Sequence, residues 1–594
     1  MCNVYCFLEM GRCSSPFHII RKGENMDTVH QTDFLIIGGG CAAGRAAIEA
    51  AKRGLSVTVV MKGRYLHSGA TAYQVSEMAG FNVGDGVCDK TDSPQGHYED
   101  IMTAADGMAD SELAKIVADE ALETLKTLQS WGVPYEMDGN RYLAFKSCFS
   151  TRPRTHVIKG HGEPILKAMW YQLEQYPITW KENSMALELL QDISGRCVGA
   201  VIADQGNRLH VIYAKATLLA TGGAGQVFEK NLNPGDVTGD GYALGFRAGA
   251  ELMNMEFMQA GIGISHPFTS LLNAYIWAGQ PVLTNRFGEQ FLEQELPDGT
   301  HARDVMMAHA NHFPFSCSDD SYLLENAVQK QIQEGNGTEE GGVYMDLRHM
   351  TDAYIDSLDE HVGLKKMWPI AKSFYASCGV DVSKQPVQIA CFAHAINGGL
   401  RIDAYGRTSI PGLYAAGETA GGPHGADRLG GNMLLTCQIY GHRAAEAAAE
   451  EIANIQTVKE DPQLSRKIET LEHLMHKDID CAAIRRQLQF LAQRTLLVRR
   501  TAQGLRELLS LTEELLAKIT SAPEYAKSDS HIPETVNLLT AARLMAYAAE
   551  HRKESRGAHY RPDYPEKNDQ NYGVPYALYQ NGDTVAFRAI KPLM

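Results

Sequence analysis

No stretch of eighteen or more uncharged apolar residues occurs in this chain, so no membrane span is expected in it. None of the twelve cysteines stands in a Cys-x-x-Cys pair, which removes the usual framework for an iron–sulfur cluster or a zinc site. Scattered thiols of this kind fit reduced, mostly buried cysteines and a cytoplasmic location. Basic residues are the minority: 55 Lys and Arg face 71 Asp and Glu, for a net charge of -16. That balance argues against a nucleic-acid surface. Internal repeats and low-complexity runs are absent as well.

What is present is globular composition, 44% hydrophobic and 21% charged, in a chain of 594 residues. That length exceeds one ordinary core and implies several domains. The N-terminal segment, residues 1–29, reads as an extension. It lacks the basic start and apolar run of a signal peptide. Arg21-Lys22-Gly23-Glu24-Asn25 precedes Met26, and codons for Lys-Gly-Glu can spell a bacterial ribosome-binding sequence. Met26 is therefore expected to be the start of translation.

Residues 32–60 read as strand, glycine turn, helix, strand. Asp33 to Ile37 is a buried-strand run. It leads into Gly38-Gly39-Gly40-Cys41-Ala42-Ala43-Gly44, with Gly38, Gly40 and Ala43 in the three small positions of G-x-G-x-x-G/A. The first allows a tight turn, the second lets backbone approach a pyrophosphate, and the third lets helix pack on strand. An Ala-rich helix from Arg45 to Arg53 would point its N-terminus at the phosphates, and Leu55–Val60 would form the second strand. The acidic residue expected at that strand's end to hold a ribose is missing; Met61 and Lys62 stand there.

Three later glycine-rich stations follow: Ala220-Thr221-Gly222-Gly223, Thr238-Gly239-Asp240-Gly241, and Ala415-Ala416-Gly417-Glu418. In this order they resemble the flavin-binding strands of a large FAD-dependent reductase family. The resemblance becomes specific at His424-Gly425-Ala426-Asp427-Arg428-Leu429-Gly430-Gly431-Asn432, and at Glu554-Ser555-Arg556-Gly557-Ala558-His559-Tyr560-Arg561. These segments resemble the His-Gly-Ala-Asn-Arg-Leu-Gly stretch and the C-terminal segment of fumarate reductase and succinate dehydrogenase flavoproteins. The likeness covers nearly all the chain after residue 30, and L-aspartate oxidases and adenylylsulfate reductase flavoproteins share the architecture.

The resemblance implies an α/β fold: a Rossmann-like FAD-binding domain (residues 30–257 and 381–437), an inserted α+β capping domain (258–380), a C-terminal helical domain (438–550), and a polar tail (551–594). It implies FAD held by the glycine turn, Lys62, Ser68, Gly69, Thr71, Ala220, Thr221, Gly222, Asp240, Glu418, Arg428, Asn432 and Leu434. Respiratory members attach FAD to a histidine. Here the matching segment is His67-Ser68-Gly69-Ala70-Thr71, which resembles the non-covalent members with Ser68 at the attachment position. The alternative is a shifted turn that brings His67 to the ring.

Reducing a C=C bond beside a carboxylate needs hydride from the flavin, an acid, and groups that hold the carboxylate. The resemblance casts Arg303, in His301-Ala302-Arg303-Asp304-Val305, as the acid; a cap carrying it would close over the flavin. It casts His394, before Gly398-Gly399, and Arg428 as carboxylate ligands, and a guanidinium suits bidentate carboxylate binding. One element departs. Fumarate reductases carry His-Pro-Thr-Gly after Glu-Phe-x-Gln; here Glu256-Phe257-Met258-Gln259 runs into Ala260-Gly261-Ile262-Gly263. Half of the dicarboxylate clamp is missing unless His266 replaces it, so a substrate other than fumarate fits equally well.

The leading expectation is a FAD-dependent oxidoreductase of the fumarate reductase/succinate dehydrogenase type, with a small carboxylate as substrate. Its electrons would come from an iron–sulfur or other electron-transfer protein, the chain's link to any membrane. One alternative is L-aspartate-oxidase-like amino acid oxidation. Another is a non-catalytic electron-transfer flavoprotein subunit. Chemistry on a sulfur nucleotide ranks lower.

Overall fold

The computed structural model describes residues 29–73, 79–358, 363–582 and 584–590; the expected start at Met26 lies outside them. The strand Val29–Ile37 pairs in parallel with Val57–Val60 on one side and Leu209–Leu219 on the other. Ile178–Lys181 and Leu413–Ala415 extend the parallel part, and Cys197–Ala203 and Met185–Gln191 add antiparallel strands to make seven. Phe34, Leu35, Ile36, Val59 and Val60 are fully buried or nearly so. This is the signature of a parallel sheet covered on both faces.

The first helix is longer than expected. It spans Cys41–Lys52, so Ala43 and Gly44 belong to its first turns and not to the loop, and the second strand is shorter, Val57–Val60. The reason is packing. A Cβ at Gly44 would meet the Tyr65 hydroxyl at 2.8 Å and Met169 Cε at 3.0 Å. Across from it the helix Asn432–Ile452 crosses so closely that a Cβ at Gly441 would lie 2.6 Å from the Ala42 carbonyl oxygen.

A second, antiparallel sheet forms the cap: Ser270–Leu271, Met258–His266, Val387–Ile396, Val343–Asp346 and Val282–Thr284, in that order. Val387–Ile396 pairs along its length with Met258–His266, so a boundary at residue 381 cuts through this sheet. Glycine stations mark nucleotide loops and are blind to such pairing.

The helices Leu464–Met475, Cys481–Thr495, Ala502–Ser521 and His531–His551 follow. The polar tail is not a loose end: Arg552, Glu554, Arg556, His559 and Arg561 are buried, and Tyr576–Asn581 with Thr584–Ala589 pairs as a hairpin beside Leu252–Met253. Arg552 Nε donates to Glu256 Oε1 at 2.6 Å, which ties this segment to the root of the cap strand. No helix among the described residues is long and apolar enough to cross a membrane.

Candidate active site

A cavity of about 540 Å³ lies between the two sheets. Its floor is the glycine turn. Gly38 has φ +125°, and a Cβ there would sit 2.1 Å from the Ala220 carbonyl oxygen, so the turn brings two strand ends into backbone contact. Gly40 caps the first helix without a side-chain acceptor; Thr71 Oγ1 accepts from Cys41 N at 3.3 Å. A second helix start, with Gly431 as its cap at φ +87°, opens on the same space through Met433 and Leu434. Two helix N-termini facing one cavity make it receptive to anions.

Most of the expected cofactor residues line this cavity: Gly38, Gly40, Lys62, Ser68, Gly69, Thr71, Ala220, Thr221, Gly222, Asp240, Glu418, Arg428 and Leu434. Two do not. Ala43 is buried inside its helix. Asn432 is buried with its Oδ1 accepting from Asn82 Nδ2 at 2.8 Å and 3.0 Å from His97 Nε2, so it braces the loop from behind. His67 is exposed and away from the wall.

The acid missing from the second strand's end arrives from elsewhere. Lys62 Nζ lies 2.8 Å from Asp240 Oδ2 and 2.6 Å from Glu534 Oε1. Burial opposes its charge, but the two carboxylates hold its pKa above the usual lysine value. Asp236 also lines the cavity. Its Oδ2 accepts from Gly69 N at 2.9 Å, while its buried Oδ1 has no partner, an acceptor suited to a sugar-type hydroxyl. Glu418 accepts from Ile396 N at 3.0 Å; burial, resisted by that N–H and by Arg428, pushes its carboxyl up to about 7. Glycine backbone, helix N-termini and unpaired acceptors together fit FAD.

At the cap end stand His394 and Arg428. Opposite Gln259 and Ala260 the register of the cap sheet slips between Ala395 and Ala393. His394 is thus the extra residue of a bulge, which turns a side chain away from the sheet's regular alternation. It is half-buried between buried neighbours and lines the cavity. Gly398 follows because a Cβ there would lie 2.2 Å from the Asn254 carbonyl oxygen. Burial, reinforced by the charge of Arg428, lowers His394 to about 3, so it faces the cavity as a neutral imidazole.

Arg428 is buried; its Nε donates to Gln259 Oε1 at 3.0 Å and its Nη1 to Leu429 O at 2.9 Å. Gln259 Nε2 donates back to Arg428 O at 3.1 Å. Gln259 is fully buried on the cap strand. It locks the guanidinium plane, a role that nothing in the local sequence around Glu256-Phe257-Met258-Gln259 signals.

Two of the expected residues lie outside the cavity lining in this structure. Arg303 is exposed on the helix Ala302–His309, whose inner face buries Val305, Met306 and His309, and it does not line the cavity. His266 is exposed at the far end of its strand and does not line the cavity either. It cannot replace the missing clamp.

Asp427, where the family stretch carries Asn, is buried and holds Ser316 Oγ at 2.5 Å, with Oδ1 unpartnered. Burial raises its carboxyl to about 7, opposed by Ser316 and by His312. An acid with a raised folded-state pKa contributes stability at low pH that is lost as pH climbs through the folded value. Asp427→Asn removes that loss. Its unfolding free energy from urea titration is expected to match the parent near pH 4 and exceed it above pH 7, by at most about 4 kcal/mol at about 1.4 kcal/mol per pKa unit, with the midpoint rising accordingly. Equal midpoints at both pH values contradict the assignment.

Fold and cavity together define a flavoprotein oxidoreductase. The FAD binding domain family matches residues 33–434, and the family described as Fumarate reductase flavoprotein C-term matches residues 485–591. One component of the fumarate reductase (CoM/CoB) of Methanothermobacter marburgensis is 31% identical over 552 residues, covering 91% of this chain and 95% of that protein. An L-aspartate oxidase of Streptomyces coelicolor is 30% identical over 567 residues, covering 93% and 92%. The structure of Mycobacterium smegmatis Sdh1 in complex with UQ1 superposes with a TM-score of 0.81 at 26% identity, covering 95% of this chain and 94% of that one. The chain belongs to the fumarate reductase/succinate dehydrogenase flavoprotein family and is a FAD-dependent oxidoreductase acting on CH–CH bonds.

Proposed function

We propose that this protein reduces the C=C bond of a small unsaturated carboxylate, with non-covalent FAD along the glycine floor and the substrate carboxylate on Arg428 and His394. The observation that carries this reading is the Gln259-locked guanidinium beside the bulge histidine, at the cap end of the cavity that the cofactor residues floor. Bound FAD, once reduced, supplies a hydride to one alkene carbon; the other takes a proton that comes ultimately from water.

The chain's own part is positional and electrostatic. Neutral His394 donates one hydrogen bond. Arg428 offers a fixed charge where negative charge grows on the carboxylate as the hydride adds. Its planar fork also fixes the substrate's orientation. Asp236, Asp240 and Lys62 line the cavity and would meet polar groups of the cofactor. Ser68 lines the cavity and His67 does not, which supports the non-covalent assignment. The electrons are proposed to come from an iron–sulfur protein, in line with a relative that is itself one component of a larger enzyme.

Holoenzyme supplied with reduced viologen is expected to consume the dye when an unsaturated carboxylate is added, with the saturated acid as product. Dye consumption that yields no saturated acid would sink the reading. Acid precipitation is expected to leave all the flavin in the supernatant. Flavin that stays in the pellet would place the attachment on the protein, with His67 the first residue to test.

A further inference from the structure

After Glu256-Phe257-Met258-Gln259 the strand carries Ala260-Gly261 and no imidazole, and the space beside Gly261 is filled. A Cβ on Gly261 would meet the Phe313 ring at 2.3 Å (Cζ), 2.6 Å (Cε2) and 2.8 Å (Cε1). The ring tip therefore presses on the bare strand backbone, and any side chain at Gly261 would have to displace the ring. Phe313 is held in place: the chain beyond it docks through Phe315 N to Ala260 O at 2.8 Å, and its own N–H faces Cys148 Sγ at 3.3 Å. Its ring meets the His394 ring edge-on, with centroids 5.9 Å apart at 88°, and it lines the cavity.

Few charges among the described lining residues could meet a second carboxylate. Lys62 is committed to Asp240 and Glu534. The ring nitrogens of His312 are taken up by Pro314 O on Nδ1 and by Asp319 and Ser321 on Nε2. Burial lowers the His161 pKa, which favours its neutral form. Lys146 is exposed, and a hydrated, flexible ammonium is a poor substitute for a fixed fork. Arg428 is left as the one buried cation free to meet substrate. The cavity also carries apolar and aromatic side chains, among them Phe145, Leu272, Tyr275 and Pro314, and Leu271 packs in one apolar cluster with Phe313.

We infer that the substrate is an unsaturated monocarboxylate whose second substituent is an aryl group packed against Phe313, not a second carboxylate. This deepens the proposed C=C reduction and rests on it. The reaction balance is unchanged: two electrons and one proton arrive as hydride from reduced flavin, one further proton comes from water, and the C=C bond becomes C–C. An aromatic ring of this kind contributes burial and edge-to-face contact, whereas a carboxylate set against Phe313 would lose its hydration without a partner.

The test uses dithionite-reduced holoenzyme and follows flavin reoxidation with cinnamate, crotonate and fumarate at equal concentration. Cinnamate is expected to be fastest and fumarate slower by about 100-fold or more, the size of discrimination that one mismatched pocket group gives. Phe313→Ala is expected to lower the cinnamate-to-crotonate ratio of kcat/KM by about 10-fold or more, with flavin content showing that the variant is folded. Calorimetric binding of cinnamate to oxidised holoenzyme should weaken in parallel. Fumarate as fast as cinnamate, or a ratio unmoved in the variant, overturns the inference and leaves C=C reduction standing. Reoxidation by none of the three acids overturns both.

Discussion

Replacing Arg428 by Gln or Lys is expected to slow reoxidation of the reduced flavin by an unsaturated carboxylate by about 10²–10³-fold, the usual loss when a fixed group that stabilises developing negative charge is removed. Lys keeps the charge but not the fork, and cannot donate to Gln259 Oε1 and Leu429 O while also presenting two parallel N–H groups to a carboxylate. The two variants should therefore behave alike. FAD should remain bound, since the floor of the cavity is built from the glycine turn and the second helix start. If R428K reacted at the parent rate, charge alone would suffice and the locked guanidinium would have no special role.

Gly38→Ala is expected to yield protein without flavin, in poor soluble yield. Two costs combine. A residue with a side chain at φ +125° is strained by about 1–3 kcal/mol. The added methyl would also lie 2.1 Å from the Ala220 carbonyl oxygen, so the Val29–Ile37 and Leu209–Leu219 strand ends must part. Gly54→Ala is the control. Gly54 has φ +80° but nothing within 4 Å of an added Cβ, so it carries strain without collision and should cost about 1–2 kcal/mol. The visible flavin absorbance of the two purified variants separates the effects. A yellow, well-folded G38A protein would show that the turn has more room than its geometry allows.

The parts of this site that were legible in sequence are those built from contiguous residues. The glycine turn announces itself because its three small positions, flanking strands and helix lie within one short stretch. Arg428 was legible through its own loop. The rest depends on register and on contacts between distant segments. His394 was picked out by resemblance, but it reaches the cavity through a bulge, and a bulge exists only relative to a partner strand. Phe313 reaches Gly261 from another loop, and no local pattern marks it. Asp240 and Glu534 restore an acid beside Lys62 from two different helices. Arg303 stands outside the cavity lining, on the exposed side of its helix. Ala302, Val305, Met306 and His309 recur at helical spacing and define the packed face, and Arg303 falls off that face.

The central claim is that electrons stored on the flavin pass to an unsaturated carboxylate held by Arg428. It is tested most directly by a single turnover: anaerobic holoenzyme is reduced with one equivalent of dithionite, mixed with a series of unsaturated acids, and followed at the flavin absorbance. The account predicts full, saturable reoxidation by at least one acid, with one saturated product per flavin, and loss of that phase in R428Q. Flavin that stays reduced in every acid, or that reoxidises equally fast in R428Q, would contradict it.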